Sequence, residues 1–365
     1  MRLLISGGAG FIGSNLIRYW LQRHPEDLLV AVDKLVYGRA NVEDLEGHPR
    51  FRLVVGDVSD RELVEALFTE YRFEGVIHAA AQSHVDLSIA DPLETAHANV
   101  LGTLVLLEAM RRFAPQGRFH HVGTDEVFGS LGDQAAFDEN SPYRPNNPYA
   151  ASKAAGDHFA RAYWRTYGLH TTITHCSNNY GPYQYPDKFL PKMILNGIAG
   201  RPLPIYGDGS NVRDWLFVED HCRAIDLVFH RGAPGARYCV GGHSEWSNLQ
   251  LVHHLCKRLD EKLQRPPGTT AQLVTFVPDR PGHDYRYALR TDRIERDLGW
   301  RPQVPFPEGL ERTLDWYLSH LDWAKRVRLP DAGAASSSSP ELRVEAASDP
   351  ARRREDAPEL KNGHS

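Results

Sequence analysis

Two carboxylates stand side by side in "RFHHVGTDEVFGS" (118–130): Asp125 and Glu126, with Thr124 directly before them. In a closed site such a pair splits into one acid and one base, because the first charge raises the pKa of the second. On a surface loop the same dipeptide is merely solvated, so context decides. Further on, "NNPYAASKAAGDHFARAY" carries Tyr149 and Lys153. Positions four apart share a helix face, and Pro148 suits the first helical turn. A nearby ammonium would favour the phenolate and lower the Tyr149 pKa, so that tyrosine takes a hydroxyl proton as hydride leaves the carbon. The Tyr-x-x-x-Lys spacing is weak alone and gains weight from following a strand.

Hydride chemistry needs an acceptor. "SGGAGFIGSNL" (6–16) holds Gly7, Gly10 and Gly13 after a short apolar strand, and a helix opens near Phe11 and Ile12. Glycines let backbone approach a pyrophosphate, whose charge the N–H groups at the helix start bind. The second strand ends at Asp33, whose carboxylate can accept both ribose hydroxyls and would repel a 2′-phosphate, so NAD is favoured over NADP. Lys34 and Leu35 beside it join the expected cofactor set, with Asp57 and Val58 at the adenine and Ala79, Ala80 and Ala81 lining the cleft.

The elements that must position these groups read as alternating strands and helices. Strands are expected at 2–6, 28–33, 51–57, 75–80, 118–124 and 171–176, and helices at 59–72 and 91–113, with Ser59 and Asp91 as N-caps. That alternation predicts an α/β fold: a Rossmann-type doubly wound parallel sheet with a smaller mixed α/β C-terminal domain. The expected division is an NAD-binding domain over 1–177, a substrate domain over 178–330, and parts of about 212–242 returning to the first. Residues 178–194 and 201–221 read as loop-rich binding surface, and further helices are expected at 219–231, 247–262 and 307–320. The stretch 331–365, poor in apolar residues and rich in Ser, Pro and charge, reads as a disordered tail.

A net charge of -5 gives no basic surplus of the kind a nucleic-acid partner calls for. Four cysteines without a C-x-x-C pair read as buried thiols in a reducing compartment. With no signal-peptide core and no apolar run of membrane length, a soluble cytoplasmic protein is expected. His120/His121 and His253/His254 form no metal-ligand pattern with nearby acids or cysteines, so no metal is assigned.

Taken together, these motifs resemble the extended short-chain dehydrogenase/reductase superfamily and, more narrowly, the dTDP-glucose 4,6-dehydratases. The narrower resemblance rests on "AAAQSHVDLSI" (79–89), "GTDEVFG" (123–129), "CSNNYGPYQYPDKFLP" (176–191), "NVRDWLFVEDH" (211–221) and "DRPGHDYRYAL" (279–289), and covers about residues 1–325. It implies a nucleotide-sugar substrate, dTDP-glucose, converted to a 4-keto-6-deoxy sugar for deoxysugar (such as rhamnose) biosynthesis. Tyr149 would take the 4-hydroxyl proton while hydride passes to NAD, and Thr124 would hydrogen-bond O4. Glu126 would then remove the C5 proton, now α to a ketone, Asp125 would protonate the departing 6-hydroxyl, hydride would return to C6, and C5 would be reprotonated.

The resemblance also implies nucleoside diphosphate contacts from Asn178, Lys188, Arg213, Asn248, Arg280 and His283, joined in the substrate set by Ser83, Phe189, Pro204 and Tyr206. Asn179 would face the nicotinamide, and a homodimer would form through helices of the cofactor domain. Asn248 could instead cap the helix that follows it. Departures from the family pattern are Gly123 where Ser is usual, Phe128 for a common Tyr, and Ala98 for a Thr that touches the cofactor. The rival readings are a nucleotide-sugar 4-epimerase, a UDP-glucuronate decarboxylase, a UDP- or CDP-glucose 4,6-dehydratase, and a catalytically silent NAD-binding protein. An epimerase would have no use for the Asp125/Glu126 pair.

Overall fold

The computed structural model of the chain describes residues 1–327; the tail expected to be disordered lies outside the described residues. Six apolar runs form the strands β1 (Arg2–Ser6), β2 (Leu28–Asp33), β3 (Phe51–Val55), β4 (Gly75–His78), β5 (Arg118–Thr124) and β6 (His170–Cys176). The helices between and after them are α1 (Phe11–Arg23), α2 (Arg61–Tyr71), α3 (Val85–Ala90), α4 (Pro92–Ala96), α5 (Gly102–Phe113) and α6 (Pro148–Tyr167). The chain continues through β7 (Asn178–Tyr180), α7 (Phe189–Ile198), β8 (Leu203–Tyr206), β9 (Val212–Phe217), α8 (Val218–Arg231) and β10 (Arg237–Val240). It closes with β11 (Glu245–Ser247), α9 (Asn248–Lys262), β12 (Val274–Val277), α10 (Asp292–Leu298), α11 (Phe306–Ser319) and α12 (Leu321–Arg326).

Seven strands make one parallel sheet in the order β10-β6-β5-β4-β1-β2-β3. Helices cover both faces, so β1, β2 and β4 bury nearly every residue and read as unbroken apolar runs instead of alternating ones. The strand order reverses between β1 and β4, which opens a crevice at the carboxyl ends of the strands where α/β sheets bind ligands. Gly7, Asp33, Ala79, Thr124 and Ser177 all follow or end strands at that edge. Two small sheets, β11-β9-β7 and β12-β8, pack with α7, α9 and α11 around a second core that includes Tyr180, Trp215, Leu251, Leu255, Phe306 and Leu310.

The structure revises several local expectations. Asp60, not Ser59, caps α2, its side chain accepting from the Leu63 N–H at 3.1 Å. Asp91 does cap the next helix, yet the expected single helix over 91–113 contains a π-helical turn at His97–Leu101. Ser247 caps α9 through a reciprocal capping box with Gln250, so Asn248 is the first helical residue and not the cap. The segment around 189–198 is helical and not loop: Leu190, Met193, Ile194 and Gly197 recur at helical spacing on its buried face. Short strands such as β8 and β9 leave no local signal, because their proline- and glycine-rich flanks hide three- and four-residue pairings that form only against distant partners. No helix among the described residues is long and apolar enough to cross a membrane.

Candidate active site

A cleft of about 870 Å³ runs along the carboxyl edge of the sheet and on between the two cores. Its floor is the glycine turn. Gly7 has φ +70°, and a Cβ there would lie 2.7 Å from the Ala80 backbone; a Cβ on Gly13 would lie 2.1 Å from the Gly7 carbonyl oxygen. The missing side chains let β1, the Ala79–Ala80 segment and the start of α1 close on one another, which sets the N-terminus of α1 at the cleft floor. Gly13→Ala is therefore expected to cost about 1–3 kcal/mol of stability and to abolish dinucleotide binding. Melting curves with and without NAD check this; an unchanged NAD-dependent rise in melting temperature would contradict it.

Asp33 fixes the far side of the turn. Its two carboxylate oxygens accept the Ala9 N–H at 3.0 Å and the Leu35 N–H at 2.8 Å. Burial pushes the Asp33 pKa up and these N–H donors pull it down. Each oxygen keeps a lone pair for a ribose hydroxyl. Lys34 spans Asp57 at 2.7 Å and Glu94 at 3.2 Å, and Asp57 also accepts from the Ser59 N–H. Phe11, Ile12, Val58 and Ala81 line the cleft as expected positions would. Leu35 does not: it packs against the core beneath β2, and only its N–H serves the site. A floor of bare backbone with a carboxylate at its end fits a dinucleotide.

At the centre of the cleft β5 ends at Thr124, whose hydroxyl caps a 3₁₀ turn by accepting the Glu126 N–H at 3.3 Å. That turn aims both carboxylates into the cleft. Asp125 is 2% exposed, and its Oδ2 has no hydrogen-bond partner among the described residues. Burial, then the charges of Glu126 and Asp214, raise its pKa well above the usual carboxylate range. Burial also raises Glu126, but Arg280 and Arg213 draw it back and Asn147 donates to it at 3.4 Å. Of the two, Asp125 is the one whose surroundings more strongly favour the neutral carboxyl.

Tyr149 and Lys153 project from the first turns of α6, begun by Pro148 and capped by Asn147. The expectation that Lys153 lowers the Tyr149 pKa is overturned. Burial and then the Glu126 charge push the phenol well up, whereas a hydrogen bond with Thr124 opposes them. The Lys153 ammonium lies instead 3.4 Å from His121 Nε2, and burial pulls its pKa down to about 8. A buried polar chain holds this helix against the cofactor floor. Ser6 bonds His78 Nδ1 at 2.6 Å, His78 Nε2 meets Thr103 at 2.9 Å, and Thr103 donates to the Asn99 carbonyl. Asn99 in turn donates to Ser152, which donates to the Tyr149 carbonyl. Asn99 sits within the π turn, an irregularity common at functional sites.

The other wall is cationic. Lys188 stands just before α7, and its ammonium donates to the Ser83 carbonyl at 3.1 Å. Arg213 anchors its guanidinium on the carbonyls of Val212, Asp284 and Tyr285 over the Tyr287 ring. Arg280 pairs with Asp86 at 3.8 Å, and its Nε has no partner among the described residues. His283 bonds Asp279 and meets Tyr206 edge-on. Phe189, Pro204, Asn178 and Asn248 complete the lining, with Asn178 Oδ1 unpartnered. The Asn179 side chain is held by the Ser177 carbonyl and His221.

A family model described as GDP-mannose 4,6 dehydratase matches residues 4–313. The chain belongs to that family. The dTDP-glucose 4,6-dehydratase of Neisseria meningitidis serogroup B is 47% identical over 341 residues, covering 89% of this chain and 96% of that protein. The crystal structure of the dTDP-glucose 4,6-dehydratase of Streptomyces venezuelae, with NAD bound, is similar at 45% identity and a TM-score of 0.82, covering 88% and 98% of the two chains. That of the Bacillus anthracis enzyme in complex with NAD is similar at 39% identity and a TM-score of 0.80, covering 89% and 99%.

In this dehydratase-family chain the cleft also gathers residues the motifs did not single out. Tyr185 donates to the Ala9 carbonyl at 2.6 Å and stacks on Tyr37 at 3.9 Å, and Tyr37 donates to Asp187. Tyr185 lies inside the "CSNNYGPYQYPDKFLP" string, so its motif was visible but its partner, 176 residues away, was not. Among the described residues one group, His24 just after α1 with Asp226 and His230 on α8, places potential metal ligands within 4.8 Å of one another. His230 Nδ1 meets both the Asp226 carboxylate and its carbonyl, so it serves as an N–H, and the three form a hydrogen-bonded triad.

Proposed function

We propose that this chain is an NAD-dependent dTDP-glucose 4,6-dehydratase, a hydro-lyase acting in deoxysugar biosynthesis. The observation that carries this reading is the Asp125/Glu126 pair, Asp125 buried and Glu126 half-buried, in one cleft with Tyr149 and the glycine turn. The relatives' names support it, and so does the cationic wall, which suits a diphosphate.

Residues 1–177, with α8 and β10 returning, form the cofactor region, and the substrate region begins at 178. Gly7, Gly10 and Gly13 with the start of α1 would hold the pyrophosphate, Asp33 the adenosine ribose. When bound there, NAD accepts hydride from C4 of the sugar and returns it to C6. With the positive nicotinamide drawing its raised pKa back down, Tyr149 would take the 4-hydroxyl proton, and Thr124 steadies O4. Glu126 removes the proton at C5, acidic once C4 is a ketone, Asp125 supplies a proton to the leaving 6-hydroxyl, and a proton returns to C5 as C6 regains hydride. Lys188, Arg213, Arg280 and His283 orient and neutralise the diphosphate. The enzyme works in the cytoplasm as a homodimer. The helical face bearing Leu93, 82% exposed, with Ile89 and Leu101 suits that contact.

Incubation with dTDP-glucose should generate the 4-keto chromophore in alkali. Faster turnover of UDP- or CDP-glucose in a side-by-side comparison would reassign the base, and C4-inverted sugar without chromophore would overturn the reading.

A further inference from the structure

Lys153 is a lysine 4% exposed in the middle of the protein, and a buried ammonium persists only with a counter-charge. One turn along α6, on the same face, stands Asp157, 1% exposed. Between them lies a single atom: His121 Nε2 is 3.4 Å from Lys153 Nζ and 3.5 Å from Asp157 Oδ1. The second Asp157 oxygen accepts from His175 Nε2 at 2.9 Å. Tyr143 touches the same nitrogen at 3.2 Å, and Arg237 donates to the Tyr143 hydroxyl at 3.1 Å.

We propose that Asp157 is the counter-charge that keeps Lys153 an ammonium, and that His175 holds Asp157 in that role: both are positioning residues acting through Lys153. The proposal rests on the dehydratase reading above. Its physical core is the contested His121 Nε2. If that nitrogen carries its proton it can donate to Asp157, but it then turns an N–H toward the Lys153 ammonium. If it is bare it accepts from Lys153 and leaves Asp157 Oδ1 without a donor. The donation from His175 satisfies Asp157 from its other side, which releases His121 to receive the ammonium. Burial and the Lys153 charge hold His121 neutral, so it transmits the arrangement without adding charge.

Two glycines make the packing possible. A Cβ on Gly156 would lie 3.0 Å from His121 Nε2, and one on Gly123 would lie 3.1 Å from His175 Cδ2 and 3.3 Å from Asp157 Oδ1. Gly123, a departure from the family pattern, is paired with His175 across β5 and β6. Phe128, a second departure, lies against the His175 ring at 4.9 Å. The groups facing Asp157 are thus His121 from β5, His175 from β6, Tyr143 and, behind it, Arg237. Those facing Lys153 are His121, His78 from β4, Cys176 from β6 and Asp157.

The test reads Lys153 directly and through catalysis. In full-length protein labelled with ¹⁵N-lysine, the Nζ resonance that disappears in Lys153→Met is titrated. In Asp157→Asn its midpoint should fall by at least about one pH unit, with the alkaline limb of kcat moving the same way and KM for dTDP-glucose changing less than about twofold. Asp157→Glu should restore most of the shift. His175→Gln, the milder change, should move the midpoint in the same direction and serves if Asp157→Asn does not fold. An unmoved Lys153 midpoint in a folded Asp157→Asn or His175→Gln variant overturns the proposal. Because the titration needs no substrate, that failure is separate from a failure of wild-type protein to dehydrate dTDP-glucose.

Discussion

Glu126→Gln is expected to lower turnover of dTDP-glucose about 10²–10⁴-fold, the range over which a positioned base acts, while leaving oxidation at C4 intact. Glutamine keeps the shape and the Asn147 contact but cannot take a proton. The variant should therefore accumulate reduced nicotinamide and lose exchange of the C5 hydrogen with deuterated solvent. Asp125→Asn separates the second half of the elimination. Asp125 is the member of the pair assigned the acid role, because it is the more deeply buried and faces the Glu126 and Asp214 charges without a donor on Oδ2. Its replacement should preserve C5 exchange and block loss of the 6-hydroxyl. If Glu126→Gln exchanged C5 hydrogen at the wild-type rate, or Asp125→Asn lost exchange and cleavage together, the assignment of base and acid would be wrong.

The second large effect concerns Lys153. Burial draws its pKa down to about 8, so the ammonium is complete below that pH and is lost as pH rises through it. Glu126 has the opposite sign of requirement: it must be ionised, and its raised pKa means the base form is lost as pH falls toward a range above that of an ordinary carboxylate. A bell-shaped profile of kcat follows, with an alkaline limb centred near 8 and an acid limb set by Glu126. Lys153→Met should reduce kcat about 10²-fold or more and remove that alkaline limb, because it removes the buried ammonium on α6 whose loss near pH 8 sets the limb. Rates measured across the neutral and alkaline range decide it. A wild-type profile that is flat through about pH 8 would sink this account of Lys153.

Much of the site could be read before any fold was known, for a definite reason. A glycine turn, a strand-end carboxylate, an acid pair after a strand and a Tyr-x-x-x-Lys helix are local patterns, and local spacing already dictates which backbone bends and which side chains share a face. The same holds for the α/β alternation, since parallel strands buried on both faces must be long apolar runs with helices between. What local pattern leaves open is the electrostatic state of each group, because it is set by neighbours distant in the chain. Tyr149 was expected to be acidified by Lys153, yet burial and Glu126 push it the other way and Lys153 faces His121.

The sheet register shows why. In "RFHHVGT" alternation sends His120 to one face, where it bonds Thr172 and Thr174, and His121 to the other, toward Asp157 and Lys153. Both rings looked alike in the sequence, and only the pairing of β5 with β6 sets Gly123 opposite His175 and brings that second imidazole to Asp157. The kinds of chemistry this chain can do were thus written in short strings of residue types. Which acid holds the proton, and what keeps the buried lysine charged, depend on burial and on contacts between segments up to a hundred residues apart, and these exist only once the chain is folded.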